Sequence, residues 1–199
     1  LIVTNGFAET LFGWAVNDSF QSVVQSTPIW AQVLFLILAA DFVLYWNHRA
    51  FHEIPALWKF HAVHHSTEHL DWLSGSRSHV VYMVCERCLV MVPLYLLGAS
   101  KEALDIYVAI AAFQAVYIHS NMKAELGFIN TLFVDVRFHH WHHSSQPEAI
   151  DKNYCAHLPL WDKLFKTYYN PKHWPDKYGT VSPLPKGFWK QMWYPFKKE

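Results

Sequence analysis

The sequence predicts an all-α, integral membrane protein in which helical hairpins carry a histidine-rich helical region. Three observations support this fold class: long apolar runs, abundant aromatic residues, and histidines repeated at helical spacing. The 199 residues include 10 Trp, 10 Tyr and 14 Phe, and Trp and Tyr favour membrane interfaces. Mean hydropathy is only +0.03, so we expect part of the chain to lie in the membrane and part in water.

Length and charge restrict the possible classes of protein. A chain of 199 residues fits one domain, 1–199. It begins with Leu1, which leaves room for a preceding N-terminal piece, and no basic region precedes an apolar run as in a signal peptide. Lys plus Arg equals Asp plus Glu at 16 each, so the basic surface that nucleic-acid binding requires is not expected.

The first half of the chain contains the clearest membrane span. Leu1–Val16 is weakly apolar and fits either the end of a membrane helix or an interfacial helix, whereas Asn17–Pro28 is polar and turn-like. Ile29–Trp46 is an apolar run of 18 residues, close to the roughly 20 that a spanning helix needs. It leads directly into His48 and His52, which should emerge from the membrane on the same helix.

A second pair of apolar runs predicts a membrane hairpin. Val80–Gly98 and Ala103–Ile118 are joined by a short link, so the second run returns the chain to the side that carries the first histidines. Glu86 and Arg87 interrupt the first run. Charges in lipid are costly unless they pair or face the protein. We expect a structural ion pair, or a helix only partly in lipid, rather than a catalytic role.

Three histidine clusters indicate a transition-metal site. Residues three and four apart lie on one face of a helix, and neutral imidazole suits iron, zinc, copper or nickel. Such clusters are a poor filling for a hydrophobic core. The clusters are His48-x-x-x-His52, His61-x-x-His64-His65 and His139-x-x-His142-His143.

Rival explanations account less well for these clusters. A zinc protease would need Glu beside the first His, but position 49 is Arg. A non-enzymatic membrane metal-binding or transport protein would place polar ligands along a path through the membrane, whereas these clusters lie outside the apolar runs.

The cysteine pair Cys85-x-x-Cys88 lies within an apolar run, and the chain has no second pair of this kind. This favours two small core residues over a redox or zinc site.

The three clusters, separated by a membrane hairpin, resemble the fatty acid hydroxylase/sterol desaturase superfamily. The resemblance covers nearly the whole chain from Ile29 onward. Further segments contribute to it in the expected order. They are Arg77-Ser-His79, His119-Ser-Asn121, Arg137-Phe-His-His-Trp-His-His-Ser144, Pro147–Tyr154 and Leu158–Phe165.

This resemblance implies a helical membrane base with a His-rich cytosolic cap that holds two iron ions. Relatives often carry another His near the position of Phe113, Gln114 and Ala115, which leaves nine or ten ligands open. His140 and His157 match no ligand position firmly. The implied ligands are His48, His52, His61, His64, His65, His119, His139, His142 and His143, with His79 as a further candidate.

The resemblance also implies the reaction and its partners. Family members use dioxygen to hydroxylate or desaturate lipid C–H bonds. The short gap between the first two clusters favours the hydroxylase/sterol branch, and a sterol or fatty acyl lipid would arrive from the bilayer. The chain has no G-x-G-x-x-G nucleotide fingerprint, so a separate electron donor is expected, of cytochrome or ferredoxin type with a reductase. The lysine-rich tail predicts that the site faces the cytoplasm.

Each ligand histidine should donate its other ring N–H to a carboxylate or carbonyl. Six acidic residues near the clusters are possible acceptors, although each one alone fits a surface charge better. They are Glu53, Glu68, Asp71, Asp135, Glu148 and Asp151.

Overall fold

The computed structural model describes residues 10–123 and 127–197. Within these residues the chain is helical without a β-strand, which confirms the predicted all-α class. Its α-helices are α1 (Asp18–Gln25), α2 (Ile29–Glu53), α3 (Pro55–His65), α4 (Val80–Leu97), α5 (Lys101–His119), α6 (Ile129–Leu132), α7 (Val136–His142), α8 (Leu160–Leu164) and α9 (Phe188–Trp193).

Helix α2 is the central element, and α4 and α5 both pack against it. Both α2 and α4 are long and apolar enough to cross a membrane. Buried side chains from all three helices form one apolar core, and the opposite faces of α2 and α4 expose large apolar side chains. The core residues are Val33, Leu36, Ala40, Val90, Leu94, Ala103 and Tyr107.

The two apolar runs predicted as a membrane hairpin form α4 followed by α5, and of these two helices α4 is a candidate membrane span. Gly98 ends α4 with a positive φ of 68°, a conformation that favours glycine because it has no Cβ. The hydroxyl of Ser100 then accepts the backbone N–H of Ala103 at 3.3 Å and caps α5. Two antiparallel helices are thereby joined by a tight turn.

The expectation that Asn17–Pro28 is turn-like was wrong, because this stretch contains α1. The Asn17 side chain caps the helix by accepting the N–H of Phe20 at 2.9 Å. The Gln21 side-chain amide donates to the carbonyls of Tyr95 and Leu96 at the end of α4. Tertiary contact with the hairpin turn therefore stabilises a helix whose polar composition alone does not predict it. Residues 1–9 of the predicted Leu1–Val16 segment lie outside the described residues.

Of the two charged residues within α4, Glu86 has a hydrogen-bond partner on its own helix. Glu86 is half-buried and hydrogen-bonds the hydroxyl of Tyr82 one turn earlier, while Arg87 beside it is exposed. A hydrogen bond of this kind lowers the cost of placing a carboxyl group in an apolar helix.

Two buried carboxylates, Asp41 from α2 and Asp162 from α8, fix the backbone of the segment 154–158. Asp41 of α2 is fully buried, and its oxygens accept the backbone N–H groups of three consecutive residues, 156–158, at 2.9–3.0 Å. Asp162 accepts the N–H groups of Tyr154 and Cys155. The 154–158 segment is thus held against α2 just below the histidines.

Candidate metal centre

The structure gathers nine histidines into two adjacent groups. Within each group the candidate ligand nitrogens all lie within 4.8 Å of one another. The five-His group is His48, His52, His61, His65 and His142. The four-His group is His64, His119, His139 and His143.

Helix geometry decides which histidine joins which group. Proline at position 55 starts α3 immediately after α2 ends, so the two helices place their histidines face to face. Consecutive residues on a helix point about 100° apart. His64 and His65 therefore enter different groups, although they are neighbours in the sequence. The same holds for His142 and His143 at the end of α7.

The Nε2 atoms of the histidines point inward within each group. In the five-His group, the Nε2 atoms of His48 and His65 lie 3.0 and 3.1 Å from that of His61. In the four-His group, the Nε2 atom of His139 lies 2.9 Å from that of His119 and 3.1 Å from that of His143.

Several Nδ1 atoms point outward and donate to backbone carbonyls. Such a contact puts the proton on Nδ1 and leaves the Nε2 lone pair free for a metal. The acceptors and distances are the carbonyls of Tyr154 for His48 at 2.8 Å, Arg77 for His64 at 2.9 Å, Ala115 for His119 at 2.7 Å and Lys152 for His142 at 2.9 Å.

Backbone carbonyls thus accept the Nδ1–H hydrogen bonds for which acidic side chains were the expected acceptors. Asp151 is the acidic residue that faces the site, with its Oδ1 atom 3.7 Å from Nδ1 of His52. Asp135 instead caps α7 by accepting the N–H of Phe138 at 2.7 Å.

Burial keeps the imidazoles of the site neutral. Desolvation lowers the pKa of His61, His139 and His143 well below the usual range, and it lowers the pKa of His64 to about 3. Neutral imidazoles that turn Nε2 lone pairs toward one another at about 3 Å repel each other unless a cation lies between them. The arrangement therefore fits one metal ion in each group.

A cavity of about 280 Å³ opens onto the five-His group. Its wall contains His52, His65 and His142 together with the aromatic side chains of Trp58 and Tyr194. The four-His group is buried throughout. The five-His group is therefore the one that can be reached through this cavity.

Comparison with known proteins agrees with this geometry. The family model described as "Fatty acid hydroxylase" matches residues 33–167, a region that contains all nine gathered histidines. The chain belongs to the fatty acid hydroxylase family.

Curated relatives in this family act on lipids. The ornithine lipid hydroxylase OlsE of Rhizobium tropici is 34% identical over 86% of the chain and 52% of its own length. The alkylglycerol monooxygenases of Danio rerio and Homo sapiens are 30% and 31% identical over 74% and 66% of the chain, but over only 32% and 29% of their own lengths. The chain thus spans about half of the first relative and about a third of the others. No solved structure matches it.

One predicted ligand of this fatty acid hydroxylase family member lies apart from the metal centre. His79 is buried, but its Nδ1 accepts the N–H of Val81 at 3.1 Å and so caps α4. Its Nε2 donates to the carbonyl of Met192 at 2.9 Å. Both ring nitrogens of His79 are thus used in hydrogen bonds to the backbone. The structure brings together the other nine of the ten predicted ligands. A histidine that caps a helix cannot be told from a ligand by spacing alone.

Near the position where the family resemblance implies a further histidine, Gln114 makes a tertiary hydrogen bond. Its side-chain amide donates to the carbonyl of Val134 at 2.7 Å and ties α5 to the segment before α7. This contact helps to position His119 near His139.

The remaining buried histidines lie outside both groups. The two ring nitrogens of His140 lie 2.9 Å from the Tyr178 hydroxyl and 2.9 Å from the Ser120 carbonyl. His157 packs its ring 5.8 Å from that of Tyr107. Both residues therefore contribute to the packing around the two histidine groups and lie outside them.

The sequence-based prediction missed the aromatic rings and the glycine that surround the ligands. Tyr82 lies 4.3 Å from His61 between ring centroids, and Trp58 lies 5.0 Å from His52. A Cβ atom on Gly75 would come within 3.0 Å of Nδ1 of His119. Trp58 lies one turn before His61 on the same helix face, so its position beside the histidines could have been predicted from the sequence spacing. The role of Gly75 could not be predicted in this way, because His119, which it contacts, is distant in the sequence.

Proposed function

We propose that this chain is a multi-pass, membrane-bound di-iron enzyme that uses dioxygen and external electrons to hydroxylate a lipid C–H bond. The observation that carries the proposal is the convergence of nine neutral imidazoles into two groups, one of which faces a cavity. Iron bound there would supply the redox chemistry that activates dioxygen.

The composition of the ligand set supports iron over a closed structural zinc site. Structural zinc is almost always tetrahedral with a total of four ligands, but the five-His group exceeds that number. Histidine suits iron, and nine ligands are too many for one octahedral ion. Two ions therefore account for the set better than one.

The residues of the chain perform three tasks in this proposal. Backbone carbonyls such as those of Tyr154 and Lys152 orient the imidazoles. Burial of the four-His group excludes water around one ion. The cavity between Trp58 and Tyr194 admits the substrate carbon beside the other ion.

The named relatives favour hydroxylation over desaturation. They are described as an ornithine lipid hydroxylase and alkylglycerol monooxygenases, and both names denote insertion of oxygen into a lipid with a polar headgroup. We therefore place a polar-headgroup lipid ahead of a sterol as the substrate. Electrons would come from a separate protein of cytochrome or ferredoxin type with its reductase.

Helix directions support a single location for the whole centre. The histidines of α2 and α5 lie at the C-terminal ends of these helices, and His79 lies at the start of α4. The antiparallel helices bring these three ends together, which supports one side of the membrane for the whole centre. The exposed lysines of the C-terminal segment support the cytoplasmic side.

Metal analysis tests the proposal directly. Protein purified in mild detergent under reducing, iron-replete conditions should contain close to two iron atoms per chain, because each histidine group fits one ion. Metal content would be measured by mass spectrometry and by the colour of an iron chelate after denaturation. A reproducible value of one, with all nine histidines intact, would contradict the di-iron assignment.

A second measurement separates the enzyme from a metal-binding or transport protein. The iron-loaded chain, supplied with reductant and a total lipid extract, should consume dioxygen and add one oxygen atom to a lipid, as seen by lipid mass spectrometry. Reversible release of iron without oxygen consumption would favour the transport alternative.

A further inference from the structure

The C-terminal segment 186–197 presents a row of exposed aromatic side chains. Phe188, Trp189, Trp193 and Phe196 expose 63%, 73%, 64% and 58% of their surfaces. The same segment buries Gln191, whose Oε1 atom accepts from the Arg77 guanidinium at 3.2 Å. One side is thus fixed to the protein while the other side offers large rings to the surroundings.

The segment lies where a spanning helix begins. The carbonyl of Met192 accepts Nε2 of His79, the residue that caps α4, at 2.9 Å. The ring of Phe196 lies 5.6 Å from Phe60 and 6.1 Å from His79 between centroids. Since α4 is long and apolar enough to cross a membrane, its first residue marks the boundary between lipid and water. The exposed rings lie beside that boundary.

The chemistry of the exposed side fits a lipid headgroup layer. Trp is enriched at membrane interfaces, and lysines beside apolar rings are typical of helices that lie in the plane of the membrane. Lys186, Lys190 and Lys197 are exposed among these rings, and cations are attracted to anionic lipids. The adjoining surface of α4 continues the apolar face with Val80, which is 57% exposed.

The segment also forms a wall of the cavity at the metal centre. Tyr194 lies within it and lines the cavity of about 280 Å³ together with His52, His65 and Trp58. We propose that the segment 186–197 rests in the lipid–water interface and sets the mouth of this cavity at the headgroup layer. The membrane contact stands without the proposed function, whereas the route past Tyr194 for a lipid substrate rests on it.

Spin labelling of the full chain in phosphatidylcholine/phosphatidylglycerol nanodiscs tests the membrane contact. A Cys85→Ser/Cys88→Ser background would carry Trp189→Cys, Trp193→Cys or, as the control, Lys172→Cys, which lies on an exposed loop that packs against α7. Labels at 189 and 193 should relax faster with oxygen, which partitions into lipid, than with an aqueous nickel chelate. The label at 172 should show the opposite order.

Two results would overturn the membrane contact. One is nickel access at 189 and 193 equal to that at 172. The other is protection from both reagents in a chain that forms a dimer, because a second copy would then cover the rings.

Photocrosslinking tests the position of the cavity mouth without requiring turnover. A phosphatidylcholine with a diazirine near the headgroup should label peptides that contain Tyr194 and Trp58. Labelling confined to α2 and α4 would refute the route. Failure of the proposed function, seen as an iron content other than two or as absence of oxygen consumption, would leave both of these results interpretable.

Discussion

At the scale of single residues, the two ring nitrogens have different tasks in four of the nine gathered histidines, His48, His64, His119 and His142. Nε2 faces the group, while Nδ1 of four ligands holds a backbone carbonyl. The ring is thereby fixed in rotation and in tautomer before a metal arrives. In the proposed metal site, loss of one histidine would therefore leave an open coordination position that its fixed neighbours would not fill.

His143→Ala should therefore abolish turnover and lower the iron content, because His143 is fully buried and lies 3.1 Å from His139 in the four-His group. His157→Ala is the control, since His157 packs on Tyr107 outside both groups. The His157→Ala variant should retain most of its turnover and most of its iron. Iron per chain and product per chain would be measured at matched membrane expression. Equal losses in the two variants would show that the site extends to His157.

A second pair of substitutions decides between nine and ten ligands. His79→Ala should keep the iron-to-protein ratio of the parent, because both ring nitrogens of His79 serve the cap of α4 and the carbonyl of Met192. His119→Ala should lose iron, because His119 Nε2 lies within 3.2 Å of both His64 and His139. Removing the cap should still cost His79→Ala about 1 kcal/mol of stability. Equal iron losses would restore His79 to the ligand set.

The sequence predicted which histidines lie close together, with the exception of His79, but not how they divide into two groups. The H-x-x-H-H spacing identifies His61, His64 and His65 as residues of one helical surface. Their division between two groups depends on where α2 and α7 approach α3, which spacing within one helix does not contain. The position of His79 apart from both groups could not be predicted for the same reason, since its partner Met192 lies far along the chain.

At the scale of elements, the turn between α4 and α5 depends on contact with α1. Gly98 has a positive φ, and a Cβ atom there would come within 2.1 Å of the Gln21 side chain. That side chain satisfies two carbonyls at the end of α4. The polar stretch before the first span is therefore a structural part of the membrane base. Composition could not reveal this, because the contact joins residues that are distant in sequence.

Gly98→Ala should destabilise the protein more than Gly127→Ala. Both glycines have positive φ, 68° and 57°, but a Cβ at Gly127 would meet nothing within 4 Å. We expect about 1 kcal/mol from backbone strain in each variant and a further cost of about 1–3 kcal/mol from crowding at Gly98. Thermal unfolding in the same detergent would measure the difference. Equal melting temperatures would mean that α1 does not hold the turn.

At the scale of the whole molecule, the proposed multi-pass topology places the histidine groups on one side of the membrane and the hairpin turn on the other. Residues 48–79 and 127–197 should be accessible from the cytoplasm, and Ser100 from the opposite side. Single cysteines at positions 100 and 172, in a background with Cys85 and Cys88 replaced by Ser, would be tested with a membrane-impermeant thiol reagent in intact and opened cells. Labelling of both positions from one side would indicate a hairpin that turns within the bilayer.

The interleaving of the two groups along α3 and α7 has a consequence for how such chains can change. A single inserted residue inside either helix rotates every later side chain by about 100°. Such an insertion would turn His64 or His142 toward the other histidine group, so that one change would disturb both groups. An insertion between α3 and α4 would leave the helical phase of the histidines unchanged, but it would shift Arg77, whose carbonyl orients His64, and Gly75, which lies against His119. The number of residues between the histidines within α3 and within α7 is therefore fixed, because both groups depend on the phase of the same two helices.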